Sequence, residues 1–262
     1  MRIRSSDFHP DRSGMQNPNN PTTLANTTAV ILAGGLGTRL RDAVADRPKV
    51  LAKVGPRPFL SYLLDQLAEA GILHVVLCTG YMGQMVREAF GSTYRTMTLA
   101  YSPEPAPLST AGALRLALPL LRSDPVLVMN GDSYCDTDLG AFAAWFQGRC
   151  ARHALLLTHV ADTARYGHVE MDADGLITRF VEKTGSHVPG FINAGIYLIG
   201  RELLGTIPEG RAVSLEREIF PSIIGKDFAG FSNQGQFIDI GTPESYQEAE
   251  AFFANVIAKD IF

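Results

Sequence analysis

The chain has 262 residues, 46% of them hydrophobic and 19% charged, enough apolar material for a substantial core and the wrong balance for a disordered or fibrous protein. A formal net charge of −4 supplies no basic surface for counterion-driven binding to nucleic acid, and no apolar run is long enough to span a bilayer. Cys78, Cys135 and Cys150 are odd in number and lack CxxC spacing, so they offer neither a disulfide framework nor a zinc site, and a reducing cytoplasm is the natural setting.

Residues 1–27 are rich in Pro, Asn, Ser and Thr, with no apolar stretch that could serve as a signal peptide, and predict a mobile tail or a short arm docking on a neighbouring subunit. From Thr28 the pattern alternates. An apolar run at 29–33 ends in glycines, a helical pattern covers about 58–71, and a second apolar run follows at 73–79. A helix over about 82–90, a strand over 97–101, a helix over 110–121 and the buried-strand run Val126-Leu-Val-Met129 complete the first half. Strands alternating with helices predict right-handed crossovers and an α/β fold: a Rossmann-like, doubly wound, mixed but mostly parallel sheet. After about residue 150 shorter strands are expected at 153–160, 166–171, 176–181 and 191–199. Thr242-Pro243-Glu244 opens a final helix to about Ala258, with Thr242 as N-cap and Pro243 in its first turn.

In such sheets ligands gather at the carboxyl ends of the strands. The segment Leu32-Ala-Gly-Gly-Leu-Gly-Thr-Arg39 follows the first strand, and its three glycines let backbone N–H groups approach an anion, although a tight strand-to-helix turn would use them equally well. The spacing is neither GxGxxG with a following acidic residue nor a P-loop, which disfavours a nicotinamide-dependent oxidoreductase. Arg39 and Lys49 flank the loop, Lys49 beside the rigid Pro48, and both are candidates for phosphate binding; Arg41, Lys53 and Arg57 read as solvated surface charges. Downstream, Asp132 ends a buried strand, and Asp239 follows another in Gln236-Phe-Ile-Asp-Ile-Gly-Thr-Pro-Glu244, a placement that suits two carboxylates sharing one hard cation with a phosphate; Asp132 in a plain turn beside Gly131 is the alternative. Asp136 and Asp138 read as structural.

The run Leu32-Ala-Gly-Gly-Leu-Gly-Thr-Arg-Leu40 followed by Pro48-Lys49 resembles the signature of sugar-1-phosphate nucleotidyltransferases, and the resemblance continues from about Thr28 to Phe253. It implies a GT-A-like single domain over 28–262, with a nucleotide-binding half at 28–150 and a sugar-phosphate-binding half at 151–262. It implies Mg²⁺ on Asp132 and Asp239, a triphosphate on Leu32, Ala33, Gly34, Gly35, Gly37, Thr38, Arg39 and Lys49, and a base pocket near Gly80, Thr110 and Gly112. Arg39, Lys49 and Asp132 become the catalytic set. Relatives nearer the consensus carry glycine where this chain has Ser109, a departure that bears on the base contacts. Tyr166-Gly-His-Val169, Val181-Glu-Lys183 and Phe191-Ile-Asn-Ala-Gly-Ile196 resemble the sugar-phosphate half, with Gly167 making room for the ring, Glu182 and Asn193 on sugar hydroxyls and Lys183 on the phosphate. A bulge at Gly167, a solvated Glu182–Lys183 pair and a turn residue at Asn193 are the structural alternatives. Ser214-Leu-Glu-Arg-Glu218 reads as a capped helix with structural carboxylates, and His168 has no companion pattern for a metal or a nucleophile.

The implied reaction joins a nucleoside triphosphate, GTP for preference, to a sugar 1-phosphate and releases pyrophosphate. Within the family the chain is most similar to the branch that acts on D-glycero-D-manno-heptose 1-phosphate. A mannose 1-phosphate guanylyltransferase, a uridylyl- or cytidylyltransferase, and an inactive nucleotide-sugar-binding regulator stay open beside it. The resemblance further implies a homodimer, and the absence of an added acyltransferase or β-helix pattern leads to the expectation of a single activity.

Overall fold

The computed structural model describes residues 24–35, 37, 40, 44, 46–181 and 187–259, with side chains to residue 254. Residues 1–23 of the expected tail lie outside the described residues, but the body begins before residue 28. Leu24 is 3% exposed in the main apolar cluster, and its N–H donates to the Ala70 carbonyl at 3.3 Å. A single leucine among Pro, Asn and Thr carries no periodic signal, which is why the boundary was legible only four residues later.

Strand β1 (Thr28–Ala33) leads through a short hairpin, β2 (Lys53–Val54) and β3 (Arg57–Pro58), into α1 (Phe59–Glu69) and β4 (His74–Thr79). Then come α2 (Gly83–Phe90), β5 (Thr93–Tyr94), β6 (Met97–Pro103), α3 (Ser109–Ala117) and β7 (Val126–Asn130). The central strands run parallel in the order β7-β1-β4-β6. Their sequences are nearly continuous apolar runs because both faces are covered. Alternation along β1 sends Ala29, Ile31 and Ala33 into one apolar cluster and Val30 into the other, so helices are needed on both sides. Helix α1 buries Phe59, Leu60, Leu63, Leu64 and Leu67, a stripe at helical spacing against the first of these clusters. The third helix is shorter than the predicted 110–121: it ends at Ala117 and tightens into a 3₁₀ turn at Leu118–Leu120, where Pro119 sits.

The second half adds β8 (Ser133–Cys135), α4 (Leu139–Gln147), β9 (His153–Val160), β10 (His168–Met171), β11 (Ile177–Val181) and β12 (Gly190–Ile199). It continues through α5 (Arg201–Thr206), a π-helical turn at Leu215–Ile219, α6 (Phe220–Ile223), β13 (Phe228–Asn233), β14 (Phe237–Asp239) and α7 (Pro243–Lys259). Asp138 is structural, as expected: its Oδ1 caps α4 by accepting from the Ala141 N–H at 2.9 Å. Thr242 caps α7, its Oγ1 accepting from the Ser245 N–H at 3.3 Å while Ser245 Oγ accepts from the Thr242 N–H at 3.3 Å.

Strand β12 joins the halves. Its carboxyl end pairs antiparallel with β7, its amino end meets β10, and β9 lies along its other edge. The change of partner occurs at a register break between Asn193 and Tyr197, where Gly195 has φ +78° and its N–H donates to Asn193 Oδ1 at 2.7 Å. A Cβ on Gly195 would lie 2.6 Å from Ser133 Oγ and 2.9 Å from Asn130 Nδ2. Gly195→Ala is therefore expected to destabilise the fold by about 2 kcal/mol or more in urea titration, since left-handed strain and a steric clash act together; an unchanged midpoint would contradict this account of the bulge.

Candidate active site

Two adjoining cavities, of about 330 and 340 Å³, open at the carboxyl ends of the central strands. The loop after β1, Lys49, Glu104 and the start of α3 wall the first; Arg165, Tyr166, Asn193, Asp239 and Gly241 wall the second. Asn130 and Asp132, at the end of β7, line both.

Close backbone approaches shape the first cavity. The Gly131 N–H donates to the Leu32 carbonyl at 3.0 Å, and a Cβ on Gly131 would lie 2.5 Å from that oxygen, so only glycine lets β7 hand on to Asp132 here. A Cβ on Gly34 would lie 2.2 Å from Glu104 Oε1, so the glycine leaves that carboxylate room beside the loop. Glu104 Oε2 accepts from the Leu108 N–H at 2.8 Å. Burial pushes the Glu104 carboxyl above its usual range, and the Leu108 amide opposes part of that shift.

Of the residues expected to bind a nucleotide, Leu32, Ala33, Gly34, Gly35, Lys49 and Thr110 line the first cavity. Gly37 adopts φ +61° and its carbonyl accepts from the Leu40 N–H, making the turn beyond the lining. Gly80 stands behind the loop, where a Cβ would meet the Gly34 carbonyl at 2.7 Å. Gly112 is absent from the lining, and the close approach it permits is to the Arg211 carbonyl, 2.4 Å from where its Cβ would be. The glycine serves the packing of α3 on the 211–213 segment. Thr110 also has an internal task, because its Oγ1 donates to Glu216 Oε2 at 2.9 Å and accepts from the Leu215 N–H at 2.8 Å. Thr38, Arg39, Glu182 and Lys183 lie outside the described residues.

Charge concentrates where the cavities meet. Lys49 Nζ contacts Asp132 Oδ2 at 2.8 Å, with the lysine side chain 11% exposed and the aspartate 47%. The 3₁₀ turn at Lys49–Leu51 buries Val50 and Leu51 and so fixes the base of the lysine. Asp239 stands opposite Ser133 in the β8–β14 ladder, and the Ile240 N–H donates to the Asp132 carbonyl at 2.9 Å, so the two aspartates sit on coupled backbone. Asp239 is 16% exposed and held from several sides. Its Oδ2 accepts from Tyr166 Oη at 2.6 Å and Arg165 Nη2 at 3.3 Å, and its Oδ1 from the Gly241 N–H at 2.7 Å. Burial, and then the Asp239 carboxylate, push the Tyr166 phenol far above its usual range, which keeps it a donor.

Asn193 lines the second cavity, yet its amide is spent on the bulge: Oδ1 takes the Gly195 N–H and Nδ2 donates to Tyr197 Oη at 2.9 Å. Gly167 is half-buried between Tyr166 and β10, outside that lining. Glu104, Arg165 and Tyr166 are cavity residues that carried no assignment in the sequence. Each lay inside or beside a segment singled out for other residues, and only the convergence of β1, β6 and β14 reveals their positions. Among the described residues no three His, Cys, Asp or Glu side chains gather as a metal cluster. The donor set at the junction, two carboxylates on coupled strand ends, fits a hard cation that takes its remaining oxygens from phosphate and water.

Residues 28–256 match the family model described as nucleotidyl transferase. The chain is 34% identical over 223 residues to the D-glycero-alpha-D-manno-heptose 1-phosphate guanylyltransferase of Aneurinibacillus thermoaerophilus, covering 85% of this chain and 96% of that one. It is 35% identical over 234 residues to the mannose-1-phosphate guanylyltransferase of Mycobacterium tuberculosis, covering 88% of this chain but spanning only 65% of that relative's length. The crystal structure of HddC from Yersinia pseudotuberculosis complexed with GMP-PN superposes with a TM-score of 0.77 at 30% identity, covering 87% of this chain and 99% of that one. The family model spans most of the chain, and the chain belongs to the nucleotidyl transferase family.

Proposed function

We propose that the chain transfers a guanylyl group from GTP to a sugar 1-phosphate, with D-glycero-α-D-manno-heptose 1-phosphate as acceptor, releasing pyrophosphate. The observation that carries this reading is the pair of cavities meeting at Asp132 with Lys49 against it. A donor in the first and an acceptor in the second bring an α-phosphate and a phosphate oxygen together at one wall. The acceptor oxygen attacks the α-phosphorus, and the bond to the bridging oxygen of pyrophosphate breaks. The nucleophile is already anionic near neutral pH, so the site needs cations and orientation instead of a general base.

Lys49 offsets charge developing on the donor phosphates, a role that Arg39 and Thr38 of the glycine-rich segment share. Lys183 receives the acceptor phosphate and Glu182 the sugar hydroxyls. Asp132 and Asp239 would hold Mg²⁺, which supplies Lewis-acid charge neutralisation when bound. Tyr166 and Arg165 keep Asp239 aligned. Glu104 fits the base: guanine presents two adjacent N–H donors on its Watson–Crick edge, and a carboxylate accepts both. Heptose is favoured by the relative that this chain matches over nearly its whole length. Mannose 1-phosphate is the second acceptor, favoured by relatives of equal identity. Retention of Lys49, Asp132 and Asp239 argues against an inactive regulator. Free Cys78 and Cys135, both buried, suit a cytoplasmic setting, and no helix among the described residues is long and apolar enough to cross a membrane.

The test is pyrophosphate release with Mg²⁺, crossing GTP, ATP, UTP, CTP and dTTP with heptose and hexose 1-phosphates. Release is expected with GTP and a heptose 1-phosphate; release only with another nucleotide would overturn the guanylyl assignment, and silence from folded protein would overturn the reaction. The raised carboxyl of Glu104 adds a pH dependence. Guanine donors favour the ionised form, so GTP affinity should strengthen as the Glu104 carboxyl ionises with rising pH and weaken as it protonates, over a range displaced upward from that of a solvated glutamate. In Glu104→Gln the slope should vanish and GTP binding should fall about 10- to 100-fold, for two charge-assisted hydrogen bonds. Calorimetric titration at several pH values reads both, and wild-type affinity in the variant would remove Glu104 from base recognition.

A further inference from the structure

We propose that Lys49 is an internal counter-cation whose ammonium keeps a divalent ion off Asp132 and Asp239 until the phosphates of a nucleotide draw it away; this rests on the reading of the two aspartates as metal ligands of a nucleotidyl transfer site. Both carboxylates already have a cationic partner. Lys49 Nζ stands 2.8 Å from Asp132 Oδ2, and Arg165 Nη2 stands 3.3 Å from Asp239 Oδ2. The lysine also approaches the second aspartate. A Cβ on Gly241 would lie 2.4 Å from Asp239 Oδ1 and 3.6 Å from Lys49 Nζ, so one methyl group there would touch both. The ammonium therefore takes up ground that an ion shared by the two carboxylates would need.

Two effects oppose a divalent ion in that state. An ammonium has donors and no acceptor, so it engages an Asp132 oxygen that the ion would coordinate and offers no ligand in return. Like charges at this range also repel, and with the lysine side chain 11% exposed, salt and water screen the repulsion poorly. The base of the lysine is fixed while its tip is free to turn. Val50 and Leu51 are buried in the 3₁₀ turn at Lys49–Leu51, whereas the four-carbon stem can carry the ammonium to another anion by rotation about its own bonds. Lys49 lines the first cavity together with Gly34 and Gly35, so phosphates seated on that loop supply such an anion. Their arrival removes the competing charge from Asp132 and adds the oxygens that a hard cation lacks there. Metal and nucleotide are thereby coupled, each raising the affinity of the other by the same factor.

The experiment follows Mn²⁺, the probe for the metal, by water-proton relaxation, which distinguishes protein-bound ion from ion on free nucleotide. The whole chain is titrated with and without GTP, no acceptor sugar being present, and thermal unfolding is recorded for each form. Wild type should bind Mn²⁺ about 10- to 100-fold more tightly with GTP than alone. Lys49→Met, which keeps an unbranched stem and drops the charge, should bind Mn²⁺ alone about 10- to 100-fold more tightly than wild type, and Lys49→Arg should show no such gain. Adding Asp239→Asn to Lys49→Met should abolish the gain. Unchanged affinity in a folded Lys49→Met chain would overturn the inference, as would a gain in Lys49→Arg or one that survives Asp239→Asn. Wild type that binds Mn²⁺ as tightly alone as with GTP would overturn it without any variant. Absence of protein-bound Mn²⁺ in every form, GTP included, would instead overturn the metal site of the proposed function, and this inference with it.

Discussion

The contact between Lys49 and Asp132 is the constraint around which the rest of the site is arranged. A lysine ammonium whose side chain is 11% exposed is costly unless an anion meets it, and Asp132 does so from a position that faces both cavities. Holding that pair requires β7 to end where the loop after β1 begins. The parallel pairing of the two strands fixes their relative height, and Gly131 lets the chain pass directly over the Leu32 carbonyl. The same pair keeps a positive charge at the mouth of a glycine-rich loop, where arriving phosphates would need it.

The second cavity depends on a different device. Sheet strands that continued straight would carry β12 past the end of β7, but the bulge at Gly195 turns it from β10 onto β7 and brings Asn193 to the rim of the second cavity. Beside it the short β8–β14 ladder presents Asp239 next to Asp132 on backbone too constrained to drift. Tyr166, Arg165 and the Gly241 amide all point at Asp239, so this carboxylate is orientated before any ligand arrives. Pre-orientation suits the proposed displacement at phosphorus, where a protein contributes alignment and charge more than covalent chemistry. The two halves of the chain thus contribute one aspartate each to a common wall.

Much of this was legible in the sequence because the physics was local. The runs at β1, β4 and β7 read as buried strands since no polar residue interrupts them, α1 declared itself by its leucine stripe, and Thr242-Pro243 marked the start of α7. The glycine loop and the strand-end aspartates were visible for the same reason. Features created by distant chain segments were not. Gly112 packs against the Arg211 carbonyl and Glu104 reaches Gly34 from the end of β6, contacts that no local pattern announces. Helix α5 is six residues long and β13 contains Gly230 and Ser232, so neither carried a periodic signal of useful length. Asn193 lines the second cavity, but its amide builds the bulge, a use that only the register break reveals.

The claim that Asp132 is the shared wall of donor and acceptor is tested most directly by Asp132→Asn, a nearly isosteric change that leaves Gly131 and the strand pairing in place. Binding of GTP and of the sugar 1-phosphate would be measured separately by calorimetry, beside single-turnover pyrophosphate release. The account predicts binding within about tenfold of wild type and release slowed by a factor on the order of 10³, the scale of losing one electrostatic group at a reacting phosphate. A correctly folded variant that releases pyrophosphate at the wild-type rate would show that the chemistry does not occur at the junction of the two cavities.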